Sequence, residues 1–134
     1  MAGYSQTPLV RKLGLRKGDR FYVSGAPVDY AALLGGLPDQ AVELSRLGKN
    51  LDFIHYFTRS QRDLEAFIPK ALDAIKSDGA IWISWPKKSS KLSSDVDGNM
   101  IRAVALPTGL VDVKVCAVDE TWSGLKLVIR KELR

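Results

Sequence analysis

Two almost unbroken apolar runs, residues 51–57 and 80–85, are the feature that most limits what this chain can fold into. Such runs are typical of strands that are covered on both faces, as in parallel sheets. Between them the apolar residues fall on one helical stripe, predicted to end at Ser77–Gly79. Ser60 and Asp63 form a Ser-x-x-Asp variant of the capping box at its start. Strand, helix and strand in this order predict a right-handed parallel crossover.

The rest of the chain alternates helices and strands in the same way. Caps, turn residues and apolar periodicity predict the boundaries. The elements outside the crossover are a helix capped by Ser5 or Thr7 and ended by Gly14, a strand at Arg20–Ser24, a helix at Val28–Gly35, a strand at 41–45, a helix at 97–106, and a hairpin with strands at 111–117 and 125–130 and a turn at 119–124. This order predicts a three-layer, Rossmann-like α/β fold with a mainly parallel sheet of about six strands. At 134 residues the chain is expected to form a single domain, residues 1–134.

The composition, 46% apolar and 26% charged, is that of an ordinary soluble protein. Several classes of protein are excluded by other features of the sequence. The chain has no apolar run long enough to span a membrane, and residues 1–14 do not have the pattern of a secretory leader. Cys116 is the only cysteine, so an internal disulfide is excluded, and with a single histidine the chain lacks the ligands of the usual zinc site. We therefore expect a cytoplasmic protein without a bound metal or cofactor.

The net charge of +5 is unevenly distributed along the chain. Residues 1–20 contain five basic residues and one acidic residue, and a later loop contains Lys87, Lys88 and Lys91. Such clusters attract nucleic acid or small anions, although a solvated basic surface is the commoner outcome. The charge pattern leaves both interpretations open.

Two stretches resemble class I S-adenosylmethionine-dependent methyltransferases. Residues 13–27, LGLRKGDRFYVSGAP, are similar to the first strand and nucleotide loop of that family, and residues 71–85, ALDAIKSDGAIWISW, to its helix leading into the fifth strand. The resemblance implies a sheet in the order 2-1-3-4-6-5, with strand 6, the last strand, antiparallel. It also implies that ligands bind at the carboxyl-terminal edge, near strands 1 and 3, where the strand order reverses.

Three further motifs resemble an uncharacterised bacterial family that is known only as a domain of unknown function. They are GYSQTPL at Gly3–Leu9, WPKKS at 85–89 and VDVKVCAVDETWSGLK at 111–126. This second resemblance implies no activity, substrate or catalytic residue.

The residues that would hold S-adenosylmethionine depart from the methyltransferase pattern. The glycine-rich loop is reduced to Gly25-Ala26-Pro27, and Pro27 removes an amide donor. Ser45 and Arg46 stand where an acidic residue would bind ribose hydroxyls, and the usual third strand is missing. We therefore expect the fold without methyl transfer, with an active methyltransferase as an alternative.

Four predicted loops share the carboxyl-terminal edge of the sheet and supply the candidate ligand-binding residues. The lysine-rich loop offers ammonium groups and hydroxyls to phosphate, beside a tryptophan on which a base can stack. The hairpin turn offers two carboxylates that would pair with these lysines across the rim. The candidates are Gly25, His55, Trp85, Lys87, Lys88, Ser89, Asp119, Glu120 and Trp122.

Each of these candidates also has a purely structural interpretation. His55 lies on a central strand, where a histidine is more often a core or rim residue with one hydrogen-bond partner, here Ser24 or Ser84. The lysine-rich loop is more often a solvated turn, and Trp82 is predicted to be core.

Together the residues favour a non-catalytic module that binds a small anionic ligand or a protein partner at the carboxyl-terminal edge of the sheet. The alternatives are a basic protein associated with nucleic acid and an active S-adenosylmethionine-dependent methyltransferase. No membrane association is expected. A monomer or a weak homodimer is expected, because the terminal hairpin has an edge strand on which Lys114 discourages pairing.

Overall fold

The computed structural model describes residues 8–134, which alternate between helices and strands. These are α1 (Leu9–Leu13), β1 (Arg20–Ser24), α2 (Tyr30–Leu34), β2 (Val42–Glu43), β3 (Leu51–Phe57), α3 (Gln61–Ala74), β4 (Ile75–Pro86), α4 (Gly98–Ala105), β5 (Leu110–Ala117) and β6 (Trp122–Ile129). Short 3-10 turns lie at Lys88–Ser90, Leu106–Thr108 and Lys131–Leu133. None of the helices in this range is long and apolar enough to cross a membrane. The predicted caps at Ser5 and Thr7, and most of the Gly3–Leu9 motif, lie outside the described residues.

The strands form one six-stranded sheet in the order β2-β1-β3-β4-β6-β5, which confirms the predicted α/β fold and strand order. β1 pairs in parallel with β2 and β3, and β3 pairs in parallel with β4. β6 is antiparallel to both of its neighbours, β4 and β5. Because the strand order reverses between β1 and β3, the edge beyond these two strands is the expected place for a ligand.

Apolar side chains pack on both faces of the sheet, which gives the fold three layers. On one face Ile54, Ile83 and Leu125 pack with residues of α3 and α4. On the other face Trp82 packs with residues of α1 and α2. Trp82 is fully buried, and its indole Nε1 donates a hydrogen bond to the carbonyl oxygen of Leu13 at 2.7 Å. This bond attaches α1 to the sheet and confirms Trp82 as a core residue.

α3 begins at the predicted cap but ends before the predicted Ser77–Gly79. The hydroxyl of Ser60 accepts a hydrogen bond from the amide of Asp63 at 3.2 Å, as an N-cap should. The second half of the capping box differs, because the amide of Ser60 donates to Thr58 Oγ1 at 3.1 Å. The helix ends at Ala74.

β4 starts immediately after α3, so the predicted end of this helix is wrong. Ile75 pairs with Leu51 of β3, and Lys76 forms an ion pair with Asp52 at 2.9 Å. Gly79 packs tightly here, since a β-carbon would lie 2.7 Å from Ile75 Cγ1 and 3.0 Å from the carbonyl oxygen of Asp52. Pairing with β3 therefore extends β4 to 12 residues.

Several other elements also differ in their bounds from those predicted. α2 is shorter than Val28–Gly35, and β2 is reduced to two residues. β6 begins inside the predicted turn at 119–124, because Trp122 already pairs with Pro86 of β4. The start of β6 is decided by its pairing with a distant strand, whereas α2 ends locally, at Gly35 in the left-handed conformation.

β5 also departs from the predicted alternation of apolar and polar residues. A register shift separates Asp112 from Lys114 in its pairing with β6. Val113 and Val115 are 53% and 52% exposed. The edge strand of the sheet is therefore irregular and partly apolar.

Candidate functional site

A shallow cleft of about 630 Å³ opens at the carboxyl-terminal edge of the sheet, between the ends of β1 and β3. This is where ligands bind in open α/β sheets. Two of the candidate residues, Gly25 and Trp122, line the cleft. It is also lined by Ser24, Tyr56, Phe57, Thr58, Arg59, Ser60, Asp63 and Ser93.

Gly25 lets the loop after β1 pack directly on the end of β3. Its φ of +74° lies in the left-handed region, and a β-carbon at this position would be 2.5 Å from the carbonyl oxygen of Phe57. No side chain fits in that space. The glycine is therefore required by the contact between the two strand ends that form the floor of the cleft.

Trp122 forms a wall of the same cleft. It is half-buried at the start of β6, and its ring packs edge-on against Phe57 with ring centroids 5.2 Å apart. Its position is set by the antiparallel pairing of β6 with β4 rather than by a turn. An exposed part of an indole ring at a cleft offers a surface on which a flat group can pack.

Arg59 and the segment that follows the lysine-rich loop close one side of the cleft. Arg59 Nε donates to the carbonyl oxygen of Ser93 at 2.8 Å, and its Nη2 donates to Ser93 Oγ at 3.0 Å. The carboxylate of Asp95 accepts from the amide of Gln61 at 2.7 Å, at the first turn of α3. Arg59 was not among the predicted candidates, although its place directly after β3, at the strand-order reversal, was a usable signal.

His55 is fully buried between two hydroxyl groups rather than open to the cleft. Its Nδ1 is hydrogen-bonded to the Tyr30 hydroxyl and its Nε2 to Ser84 Oγ, both at 2.7 Å. The predicted partner Ser84 is confirmed, whereas the cleft residue Ser24 is not a partner and Tyr30 was missed. Contact of His55 with a ligand stays a prediction.

The two hydrogen bonds satisfy both nitrogens of a neutral imidazole. One ring nitrogen donates and the other accepts, and either hydroxyl group can take either part. Burial lowers the pKa of His55 to about 3, and burial also raises the pKa of Tyr30. The triad is therefore neutral at physiological pH and links α2, β3 and β4.

The lysine-rich loop contacts the hairpin turn, but it bonds to backbone oxygens of the turn and not to its carboxylates. The ammonium group of Lys87 donates to the carbonyl oxygen of Asp119 at 2.7 Å, and the amide of Lys87 donates to the carbonyl oxygen of Thr121 at 2.8 Å. The Asp119 carboxylate accepts from the amides of Thr121 at 2.8 Å and Trp122 at 2.7 Å. The expected pairing of lysine ammonium groups with the turn's carboxylates is thus wrong for Lys87 and Asp119.

The remaining candidates lie away from the cleft. Lys88, Ser89 and Glu120 are exposed. Trp85 is half-buried under the start of α4, where a β-carbon at Gly98 would lie 3.7 Å from its ring. A hollow of about 220 Å³ beside it is lined by Trp85, Pro86, Lys87, Lys88, Leu92, Ser94, Asp95, Val96 and Asp97. The candidate residues therefore do not form one site: Gly25 and Trp122 line the cleft, His55 is buried, and Trp85, Lys87 and Lys88 line the hollow, whereas Ser89, Asp119 and Glu120 line neither the cleft nor the hollow.

Metal-ligating side chains do not converge in any of these places. Within residues 8–134, no three His, Cys, Asp or Glu side chains are grouped so that they could hold a metal ion.

Solved structures of methyltransferases share this fold. A protein of Sulfolobus solfataricus described as a type 11 methyltransferase is 18% identical, with a TM-score of 0.64 over 92% of this chain and 90% of its own. Magnesium protoporphyrin IX methyltransferase from Synechocystis, solved with bound SAH, is 12% identical, with a TM-score of 0.60 over 91% and 78%. A TehB-like SAM-dependent methyltransferase from Corynebacterium glutamicum is 13% identical, with a TM-score of 0.58 over 96% and 91%. At these identities the similarity establishes the methyltransferase-like fold and nothing about activity.

The sequence itself matches one protein family. A search of curated protein sequences found no match to this chain. Residues 39–131, more than half of the chain, match the model of a family described as "Protein of unknown function (DUF3052)". The resemblance to a family of unknown function is thereby confirmed, and the chain belongs to the DUF3052 family.

Proposed function

We propose that this protein is a non-catalytic binding module that takes a small anionic ligand in the cleft between the ends of β1 and β3. The observation that carries the proposal is the position of this cleft, about 630 Å³ in volume, at the reversal of strand order and beside Arg59 and Trp122. A site of this size accommodates a small molecule.

The side chains of the cleft suit a ligand with an anionic group and a flat group. Arg59 uses two of its five N–H donors on Ser93, which leaves others for a carboxylate or phosphate. Trp122 offers part of its ring, and Ser24 offers a hydroxyl. The carboxylate of Asp63 also lines the cleft, so a ligand that carries hydroxyl or amino groups beside its anionic group fits better than a bare anion.

Three features support binding without catalysis. Gly25 packs against the carbonyl oxygen of Phe57, so the fold already requires a glycine at this position without any bound cofactor. Pro27 lacks an amide donor for a phosphate or carboxylate. The Ser84–His55 pair, the one arrangement here that could activate a nucleophile, is fully buried and does not line the cleft.

Binding is tested by calorimetry and thermal shift with S-adenosylmethionine, S-adenosylhomocysteine, nucleotides and phosphorylated metabolites. We expect at least one of them to bind and to raise the melting temperature. Arg59→Gln should weaken that binding about tenfold, since it removes a charge-assisted hydrogen bond. Arg62→Gln, which removes the same charge from an exposed residue of the same segment outside the cleft, is the matched control.

Three outcomes would contradict this proposal. Formation of S-adenosylhomocysteine from S-adenosylmethionine by the purified protein would make it an enzyme. Equal affinities of the Arg59→Gln and Arg62→Gln variants would place the ligand elsewhere. Binding to a nucleic acid that weakens steeply with salt and is lost on Lys87→Ala with Lys88→Ala would favour the nucleic-acid alternative.

A further inference from the structure

A second cavity, of about 400 Å³, lies at the opposite edge of the sheet, beside α1 and the end of β6. Asp52 and Gly79, which line it, belong to the first parts of β3 and β4, so this is the amino-terminal edge of the parallel strands. Its volume is within the range of small-molecule sites. Its charged lining residues are Arg11, Arg16, Asp19, Asp52, Asp78 and Lys126.

The acidic side of this cavity is largely occupied by the fold itself. The Asp52 carboxylate accepts from the amide of Arg20 at 2.9 Å and pairs with the Lys76 ammonium at 2.9 Å. The Asp19 carboxylate accepts from the amide of Arg16 at 2.9 Å, within the turn before β1. These two carboxylates already have partners, and Asp78 is exposed.

The basic side forms no ion pair of this kind within the described residues. Lys126 is half-buried, and its Nζ lies 3.9 Å from where a β-carbon at Gly14 would be, under the end of α1. No carboxylate within residues 8–134 forms an ion pair with Lys126, Arg16 or Lys114. Residues 1–7 contain no Asp or Glu that could supply one.

The strand register places a second lysine directly beside Lys126. Lys114 of β5 is its cross-strand partner, so the two ammonium groups project from the same face of the hairpin. Like charges directly opposite each other on antiparallel strands are destabilising. Burial, Lys114 and Arg16 lower the pKa of Lys126. A multivalent anion between these groups would remove the repulsion.

We propose that this cavity is a second anion site, in which Lys126 and Arg16 bind a phosphate-bearing small molecule, with Arg11 also in the lining and Lys114 next to Lys126 on the neighbouring strand. A phosphate group fits because the planar guanidinium and the ammonium group together match several oxygens of one multivalent anion. The site lies at the other edge of the sheet from the β1–β3 cleft, and it does not depend on the function proposed for that cleft.

The test uses inorganic pyrophosphate as the probe, titrated by calorimetry at constant ionic strength. The wild-type protein should bind it saturably, with one pyrophosphate per chain. Lys126→Met, which keeps the apolar stem of the side chain, should weaken binding about tenfold or more. In the absence of pyrophosphate the same variant should melt higher than the wild type, because the repulsion from Lys114 is gone. Lys70→Met, at an exposed lysine of α3, is the control and should change neither result.

Three results would overturn the assignment. One is equal pyrophosphate affinity in the wild type and Lys126→Met; if that variant does not fold, Arg16→Gln is used, since only the backbone amide of Arg16 bonds to Asp19. Another is loss of pyrophosphate binding in Arg59→Gln, which would assign the ion to the β1–β3 cleft. The third is binding to a DNA duplex without binding to pyrophosphate, which would make the basic side a nucleic-acid surface.

Discussion

His55, the chain's single histidine, is held between two hydroxyl groups in the interior of the fold. Its ring also stacks on Phe57 with centroids 4.2 Å apart. A charged imidazolium cannot be accommodated there, because no carboxylate is hydrogen-bonded to it and no solvent reaches it. The residue therefore makes folding sensitive to acid.

The sign of this effect follows from the pKa values. The folded-state pKa of His55 is about 3 and its ordinary value is 6.5, so between these pH values the unfolded chain binds a proton that the folded chain does not. Stability must then fall as the pH drops through this window. From pH 7 to pH 5 we expect the wild-type free energy of unfolding to fall by about 2 kcal/mol more than that of His55→Gln. Urea unfolding at the two pH values measures both.

The carboxylates titrate in both proteins, so their contribution to the pH dependence of stability cancels when the wild type is compared with His55→Gln. Equal losses in the wild type and in His55→Gln would show that the imidazole is protonated inside the fold, against the buried triad described above.

The partners of His55 show how far residue-level prediction reached. Ser84 could be predicted because it lies on β4, the strand next to β3. In the structure His55 pairs with Trp82 of β4, and Ser84 follows Trp82 by two residues on the same face of the strand. Tyr30 could not be predicted, because its hydroxyl reaches the ring only through the packing of α2 on the sheet. A five-residue helix has no sequence signal that fixes such an orientation.

At the scale of elements, the loop after β1 depends on one glycine. Gly25→Ala places a methyl group against the backbone oxygen of Phe57, which cannot move without breaking β3 from β1. We expect the free energy of unfolding to fall by at least about 2 kcal/mol more than in Gly18→Ala. Chemical denaturation of both variants measures the difference.

Gly18 is a matched control because its φ of +76° is nearly the same, while nothing lies within 4 Å of its missing β-carbon. Its substitution tests only the left-handed backbone, which costs about 1–2 kcal/mol. Similar losses at the two positions would mean that the loop after β1 shifts to make room.

Element boundaries were predicted least accurately, as the junction between α3 and β4 shows. Ile75 fits the apolar stripe of the helix as well as it fits a strand, so periodicity does not separate the two. Pairing with Leu51, far away in the chain, decides in favour of the strand. The start of β6 at Trp122 has the same origin, in its pairing with Pro86.

At the scale of the whole molecule, the two ends of the sheet are unequal. β2 offers two residues at one edge and β5 offers eight at the other. On β5 the register shift and the charge of Lys114 oppose pairing with a second copy of the chain, whereas the exposed apolar side chains of Val113 and Val115 favour it. Lys114→Val should therefore increase self-association, measured by sedimentation velocity at rising concentration.

Lys88→Val, at an exposed lysine away from this edge, is the control for a general effect of added apolar surface. Sedimentation profiles that change equally in both variants would show that the β5 edge is not the surface that associates.

Whole-molecule features were predicted better than the site. The apolar runs at β3 and β4, with the helix between them, and the resemblance to methyltransferases were enough for the strand order. The candidate residues scattered because rim loops take their shape from backbone hydrogen bonds, such as that from the Lys87 amide to the carbonyl oxygen of Thr121, which residue types do not reveal.

The place of β6 in the sheet has a consequence for how the protein is made. β6 follows β5 in the chain but lies between β4 and β5. During synthesis on the ribosome, β5 therefore emerges with no strand to pair with, and β4 keeps an open edge that carries Ile81 and Ile83 until β6 has left the tunnel. The nascent chain is therefore most exposed to chaperones, or to aggregation, in the interval before β6 arrives.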